Sequence, residues 1–378
     1  MNEETEFIQG SLACEQDRCF RPAVFGLCKY VAGTTTDQVE RELGLTDLAK
    51  LASNENPYGP SPRVFEAIEA ELCNIWQYPE QSFYDLKHAI AAHNGLDFEN
   101  VVVGHGSETI IQLIPQLLVE PGDEVVLADA TYGRHEEASK LMNARLRVVP
   151  LRDHHFDVEA MTAAVSPRTK MVWMASPNNP TGTVVTRDEL YWLLEQLPGS
   201  VTLVVDQAYR EYVDDPAYGD AAEALRGGHD NVVALRTFSK AYGLAGLRLG
   251  YGLLSKRMAW LLDTIKEPFN VNRLSLVAGV AALADQAWLA KVVQAAIAGR
   301  NLLTGELTRL GCEVVPGQAN FVFVDVHRHA AGLYEPLLRR GVIVRPAGGW
   351  GYPTHLRVTV GTPEQNVRFL EALAAELR

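Results

Sequence analysis

The sequence lacks any long apolar run. Nothing in it approaches the ~18–20 uninterrupted apolar residues that a membrane-spanning helix needs, so no membrane partner is expected. Cysteine is scarce: Cys14, Cys19, Cys28, Cys73 and Cys312 are the five in 378 residues. Their odd number, their scatter and the absence of a Cys-x-x-Cys pair argue against a disulfide scaffold or a zinc site, and for reduced thiols in a cytoplasm. Positive charge is in deficit, with 34 Lys and Arg against 47 Asp and Glu and a formal net charge of −13. A broad nucleic-acid interface needs a basic footprint and is excluded on that ground, although a local basic pocket can sit inside an acidic protein. The opening residues are acidic and lack the basic-then-apolar pattern of a secretory signal. Several chemical signatures are missing as well. No Gly-Lys pair occurs, hence no P-loop, and no Gly-x-Ser-x-Gly elbow is present. Gly104-His105-Gly106-Ser107-Glu108-Thr109 starts like a dinucleotide fingerprint, but Thr109 stands at the third glycine. His135-Glu136-Glu137-Ala138-Ser139 starts like a zinc-protease helix, but Ser139 stands at the second histidine. His154-His155 is a lone pair in a turn-like stretch.

What is present is an ordinary globular balance, 47% apolar and 21% charged, in a chain long enough for two domains. An arm and a lead-in helix end near Leu45. Short β-branched runs at 101–103, 124–128, 146–151, 170–175, 201–205, 232–236 and 249–254 then alternate with amphipathic stretches such as 108–119, 135–143 and 187–197. That alternation predicts βαβ units around a mostly parallel, buried sheet of seven strands. Pro268 breaks the helix that starts near Lys256. A long alanine-rich helical region follows from 275 to 310, then strands near 312–315, 320–326, 342–345 and 356–360, and a closing helix over 364–377. The expected fold is α/β. An arm (1–48) shares in the small domain, a large domain covers 49–270, and a smaller α/β domain covers 271–378.

Four segments carry chemistry. Arg236-Thr237-Phe238-Ser239-Lys240-Ala241-Tyr242-Gly243-Leu244-Ala245-Gly246-Leu247-Arg248-Leu249-Gly250 follows an apolar strand. Desolvating Lys240 there would lower its pKa and make the amine a nucleophile near neutral pH. Thr237, Ser239 and Arg248 together could bind a phosphate. A solvated loop lysine is the plain alternative. Ser176-Pro177-Asn178-Asn179-Pro180-Thr181-Gly182 is a rigid polar loop at a strand's carboxyl end, where α/β sheets put ligands; read alone it is a turn. Asp206 ends the buried run Val204-Val205, which is costly unless it meets a cation or donors. Gly104-His105-Gly106-Ser107-Glu108 leads into a helix whose N-terminal N–H groups suit an anion.

In this order, at these strand ends, the four segments resemble the fold-type I pyridoxal-phosphate enzymes of the class I/II aminotransferase superfamily. Leu51-Ala52-Ser53-Asn54-Glu55-Asn56-Pro57-Tyr58-Gly59-Pro60, the 236–250 segment and Leu356-Arg357-Val358-Thr359-Val360-Gly361-Thr362 are similar to its histidinol-phosphate aminotransferase subfamily. The resemblance implies pyridoxal 5'-phosphate as cofactor, with Lys240 as the Schiff-base lysine, Asp206 as partner of the ring nitrogen, and Asn179 and Tyr209 as donors to the ring hydroxyl. It implies that Tyr132 stacks on the ring, that Gly106, Ser107, Thr237, Ser239 and Arg248 form the phosphate cup, and that Glu108 is also among the cofactor-binding residues. Tyr58 is implied to reach the cofactor phosphate of the other subunit of a homodimer. Arg357 resembles the arginine for the substrate's anionic group, Arg345 the extra arginine for a substrate phosphate, and Tyr30 a tyrosine near it. The implied substrates are an amino donor and a 2-oxo acid, with histidinol phosphate and 2-oxoglutarate first. Alternatives are an aminotransferase for aromatic or other amino acids, a related decarboxylase, and a cofactor-sensing regulator. The chain departs from the family pattern at His105, Thr109, Ala130, His135, Gln207 and Leu276. None of these removes a catalytic group, and several lie toward the substrate side.

Overall fold

The computed structural model describes residues 19–27 and 36–378, so Tyr30 lies outside the described residues. Its centre is a seven-stranded sheet made of β2 (Val101–His105), β3 (Glu124–Ala128), β4 (Arg145–Val149), β5 (Thr169–Ala175), β6 (Thr202–Asp206), β7 (Val232–Thr237) and β8 (Leu249–Leu253). The spatial order is β2-β8-β7-β6-β5-β3-β4. Only β8 runs antiparallel to its neighbours, so β2, β5, β6 and β7 all end on the same edge. All seven runs expected from the sequence are strands, with ends shifted by a residue or two, as fraying strand ends commonly are.

The apolar runs are continuous rather than alternating because both faces of the sheet are covered. Val101, Val103, Val172, Met174, Leu203 and Val205 enter one hydrophobic core. Their neighbours Val102, Met171, Trp173 and Val204 enter another on the opposite face, as the two-residue period of a strand requires. Edge strand β4 exposes Arg145 and Arg147, charges that discourage further pairing.

Helices cover the sheet. In chain order the longer ones are α1 (Thr36–Leu43), α2 (Pro62–Glu71), α3 (Tyr84–Asn94), α4 (Gly106–Leu118), α5 (Arg134–Leu141), α6 (Arg187–Gln196), α7 (Lys256–Ile265), α8 (Arg273–Ala284), α9 (Gln286–Arg309), α10 (Ala330–Arg339) and α11 (Pro363–Leu377). A third core belongs to a smaller antiparallel sheet of β9 (Glu313–Val315), β10 (Phe321–Asp325), β12 (Arg345–Pro346) and β13 (His355–Thr359), in the order β12-β13-β10-β9. Beside it β1 (Ala49–Lys50) pairs in parallel with β11 (Val342–Ile343), so the chain passes through the small layer before entering the large one.

Two expectations are corrected. The single helical region over 275–310 is two helices, α8 and α9, bent by 79°. Asp285 sits at the break, where its side chain accepts from the Trp288 N–H and caps α9, and its other oxygen takes the Ser61 hydroxyl at 2.5 Å. The alanine-rich composition runs straight across the break and conceals it. Helix α8 packs Ala278, Ala282 and Leu283 into the large core, whereas α9 gives Leu303 and Leu307 to the small one. The expected strand over 342–345 is two short strands in different sheets. Val344 separates them, and Pro346, which has no N–H to donate, ends β12 at the sheet's edge. Helices α2, α3 and α10 carried no expectation. Among the described residues no single helix is long and apolar enough to cross a membrane.

Candidate active site

The carboxyl ends of β2, β5, β6 and β7 meet the small domain around a cavity of about 850 Å³. Lys240 lies at its floor, three residues past the end of β7. Its Nζ donates to the Ser53 carbonyl oxygen at 3.0 Å and sits 5.7 Å from the centre of the Tyr209 ring. Burial, chiefly, together with the nearby Arg357 guanidinium, pushes the amine down to about 8. Glu55 and Asp206 pull the other way and Arg248 adds to the depression. The result is an amine that is partly neutral, hence nucleophilic, near neutral pH.

Asp206 ends β6 and is buried. One carboxylate oxygen accepts from the Ala208 N–H at 3.1 Å, and the other lies 3.2 Å from Nε2 of the fully buried His135. The His135 ring is stacked on Trp173, with centroids 4.5 Å apart and planes 7° from parallel. The His135 contact, the Ala208 N–H and the stacking of His135 on Trp173 thus hold the carboxylate in place. The sequence marked His135 as unusual but assigned it no partner, because the helix and strand that bring it to Asp206 are distant in the chain.

The anion cup is built from the start of α4 and the turn before β8. Arg248 adopts a left-handed backbone, φ 53°, and its Nη1 donates to Ser239 Oγ at 3.4 Å and the Ala245 carbonyl at 3.1 Å. Thr237 Oγ1 accepts from the Ser239 N–H at 3.1 Å, closing the turn. Two glycines allow the close approach. At Gly106, φ 72°, a Cβ would come within 2.8 Å of Arg248 Nη2, and at Gly250 one would come within 2.2 Å of the Ser107 nitrogen. With helix N–H groups and a guanidinium converging, the cup suits a phosphate.

Tyr132 stands over the cavity, its hydroxyl donating to Glu108 at 3.3 Å. Glu108 also takes Arg134 Nε at 2.5 Å, and Arg134 pairs with Glu137. The expectation that Glu108 binds the cofactor therefore shares its carboxylate with Tyr132 and Arg134. In the 176–182 loop, Asn178 accepts from Thr131 and donates to the Ala130 carbonyl. Asn179 accepts from Arg357 Nη1 at 2.5 Å, which leaves its amide N–H groups as donors. Arg357, on β13, also donates to the Ala52 carbonyl and faces Trp350 at 5.4 Å. Arg345, opposite Arg357 in the β12–β13 register, lies 5.9 Å from the same ring. No ion pair of Arg345 occurs among the described residues.

The expected residues other than Tyr58 and Tyr30 thus converge on one cavity, with Gly106 at its back. Tyr58 is partly exposed and does not line it. The sequence reading missed the Ser53 carbonyl, which no side-chain pattern could announce; the aromatic bulk that the 346–353 segment was expected to put beside the two arginines is Trp350. A depressed amine, a buried carboxylate and an anion cup around one cavity are the equipment of an enzyme that works through an amine-bound carbonyl cofactor. They fit pyridoxal phosphate, whose aldehyde, ring nitrogen and phosphate match the three.

Comparison with known proteins agrees. The description "Aminotransferase class I and II" matches residues 46–373. The histidinol-phosphate aminotransferase of Moorella thermoacetica is 44% identical over 93% of this chain and 92% of its own. Histidinol-phosphate aminotransferase 2 of Pseudomonas aeruginosa is 42% identical over 94% and 97%. The crystal structure of histidinol-phosphate aminotransferase from Sinorhizobium meliloti in complex with pyridoxal-5'-phosphate superposes with a TM-score of 0.87 at 29% identity, covering 97% of this chain and 99% of that one. The chain belongs to the class I and II aminotransferases, on the branch of the histidinol-phosphate enzymes, and is a transaminase.

Proposed function

We propose that this chain carries pyridoxal 5'-phosphate on Lys240 and transfers the amino group of histidinol phosphate to 2-oxoglutarate. The observation that carries the reading is the pairing of a depressed lysine amine with two arginines, Arg345 and Arg357, on the opposite wall. When bound, the cofactor supplies an aldehyde carbon for amines and a ring that accepts electrons from the substrate's Cα. Asp206, held by His135, would keep the proton on the ring nitrogen. Asn179 and Tyr209 would donate to the ring oxygen, Tyr132 would cover the ring, and Gly106, Ser107, Thr237, Ser239 and Arg248 would hold the phosphate. The Lys240 amine would remove the substrate's Cα proton and later return it, a base and an acid in turn. Arg357 takes the carboxylate of the 2-oxo acid, and Arg345 takes the phosphate of the amino donor. Trp350 closes water out beside them.

The reading includes a cytoplasmic homodimer in which Tyr58 reaches the partner's cofactor phosphate; the exposure of Tyr58 outside its own cavity supports this. It also includes an N-terminal arm (1–48), a large cofactor domain and a small domain; the seam expected between 270 and 271 is moved in this reading to the turn at Asp285, because α8 packs on the large core. The test is rapid mixing of the cofactor-loaded protein with histidinol phosphate and, separately, phenylalanine, following the visible absorbance of the lysine-bound cofactor. Fast loss with histidinol phosphate and slow loss with phenylalanine is expected. The reverse order would make it an aromatic aminotransferase, the reading that the Trp350 and Tyr334 side of the cavity would then serve.

A further inference from the structure

The dipeptide Ser53-Asn54 holds two groups of the site at once. The Ser53 carbonyl takes the Lys240 amine, and Asn54 Nδ2 donates to the Tyr209 hydroxyl at 3.0 Å. Asn54 is almost fully buried and has a left-handed backbone, φ 56°, a region that asparagine tolerates better than most residues. Every polar group of Asn54 has a partner. Its N–H donates to Thr359 Oγ1 at 2.9 Å, its carbonyl accepts from Asn320 Nδ2 at 3.1 Å, and its Oδ1 accepts from the Thr359 hydroxyl at 2.9 Å.

These bonds decide the orientation of the amide. Thr359 Oγ1 accepts from the Asn54 N–H and gives its one proton to the Asn54 side chain, where only the amide oxygen can receive it. The amide nitrogen therefore faces Tyr209, whose oxygen is an acceptor on that side. The phenolic proton is thereby directed away from Asn54. Thr359 lies on β13, two residues beyond Arg357 and so on the same face. One strand of the small domain consequently sends two connections to the floor: Arg357 to Asn179, and Thr359 through Asn54 to Tyr209.

We infer that Asn54, locked by Thr359, is a positioning residue that aims the Tyr209 hydroxyl proton at the cofactor's ring oxygen and couples the substrate-binding strand to the lysine-bound cofactor. The inference rests on the proposed function, because it needs the cofactor on Lys240. Asn54 acts through the groups it bonds, the Tyr209 hydroxyl and Thr359.

The experiment is a pH titration of the visible absorbance of the cofactor-loaded protein without substrate, which reads protonation at the lysine–cofactor link and not turnover. Tyr209→Phe removes a donor to the ring oxygen and raises the titration midpoint, by about one pH unit for one hydrogen bond. Asn54→Gly keeps the left-handed backbone and deletes the amide; it raises the midpoint in the same direction. Thr359→Val does so as well, and Thr359→Ser, which keeps the hydroxyl, restores the original value. In the Tyr209→Phe background Asn54→Gly adds no further shift, because its action runs through the phenol. An unshifted midpoint in Asn54→Gly, or a full additional shift in the double variant, overturns the inference. If Asn54→Gly does not fold, the Val and Ser variants at Thr359 decide alone. Failure of the underlying reading looks different: the wild-type protein would then show no visible band that Lys240→Ala abolishes.

Discussion

The floor and the wall of the cavity are built differently. The floor consists of turns at the ends of β5, β6 and β7 and the start of α4, set on a sheet buried on both faces. Its polar groups are interlocked: Lys240 with Ser53, Asp206 with His135 and Ala208, Arg248 with Ser239 and Ala245. The wall beside the substrate comes from two-residue β12, the turn around Trp350 and the first turns of α10. There Arg345 is half-buried and meets mainly an aromatic ring. Groups that must keep one geometry through every turnover sit on rigid, over-determined backbone. Groups that select the substrate sit on a short edge where a substitution disturbs little else.

The largest effect should come from the floor. Lys240→Ala removes both attachment point and base, so turnover should fall by about 10⁴-fold or more, with loss of the visible band; a variant that still turns over normally would end the assignment. A wall change should be selective instead. Arg345→Ala should lower kcat/KM for histidinol phosphate by about 10- to 100-fold, as expected for one lost charge-assisted contact, while leaving phenylalanine nearly untouched; steady-state kinetics on both donors would separate floor from wall. Gly250→Ala tests how closely the cup is packed. A methyl group 2.2 Å from the Ser107 nitrogen must push α4 away, costing on the order of 1–3 kcal/mol of stability, read by denaturant unfolding together with weakened cofactor retention.

The lysine's depressed pKa has a definite sign. Below about 8 the amine is charged and must lose its proton before it can attack. The rate at which cofactor-free protein takes up pyridoxal phosphate should therefore rise about tenfold per pH unit below that value and level off above it. For stability the same shift means that the burial cost is present in full below about pH 8 and is relieved as pH rises toward the lysine's ordinary value. The smallest effect should be His135→Phe, which keeps a ring against Trp173 and deletes the contact to Asp206. A loss of about tenfold or less in kcat is expected, one hydrogen bond's worth; no change would make His135 a packing residue alone.

Much of the floor was legible in the chain, because its residues fall in short segments directly after apolar strands. Lys240 follows β7, Asp206 closes β6, and Ser107 opens α4. The two arginines of the wall were also named, but their opposition across β12 and β13 was not, since strands of two residues leave almost no periodic signal. The break at Asp285 was invisible for a related reason: alanine suits both helices and the apolar pattern is uninterrupted. Ser53 acts through its backbone oxygen, which no side-chain pattern encodes.

By itself, then, the sequence determined the seven strands of the large buried sheet, because apolar runs and glycine positions are local properties, and the class of chemistry through the resemblance of its four segments to a known family. Only the tertiary structure decided which groups share a proton or a charge. The depression of Lys240 comes chiefly from burial, and Arg357, which lies 117 positions further along (357 − 240), adds to it. The grip on Asp206 needs a histidine 71 residues earlier, and the hold on Tyr209 needs an asparagine 155 residues before it. Desolvation and hydrogen bonding depend on distance in space, and folding alone sets that distance.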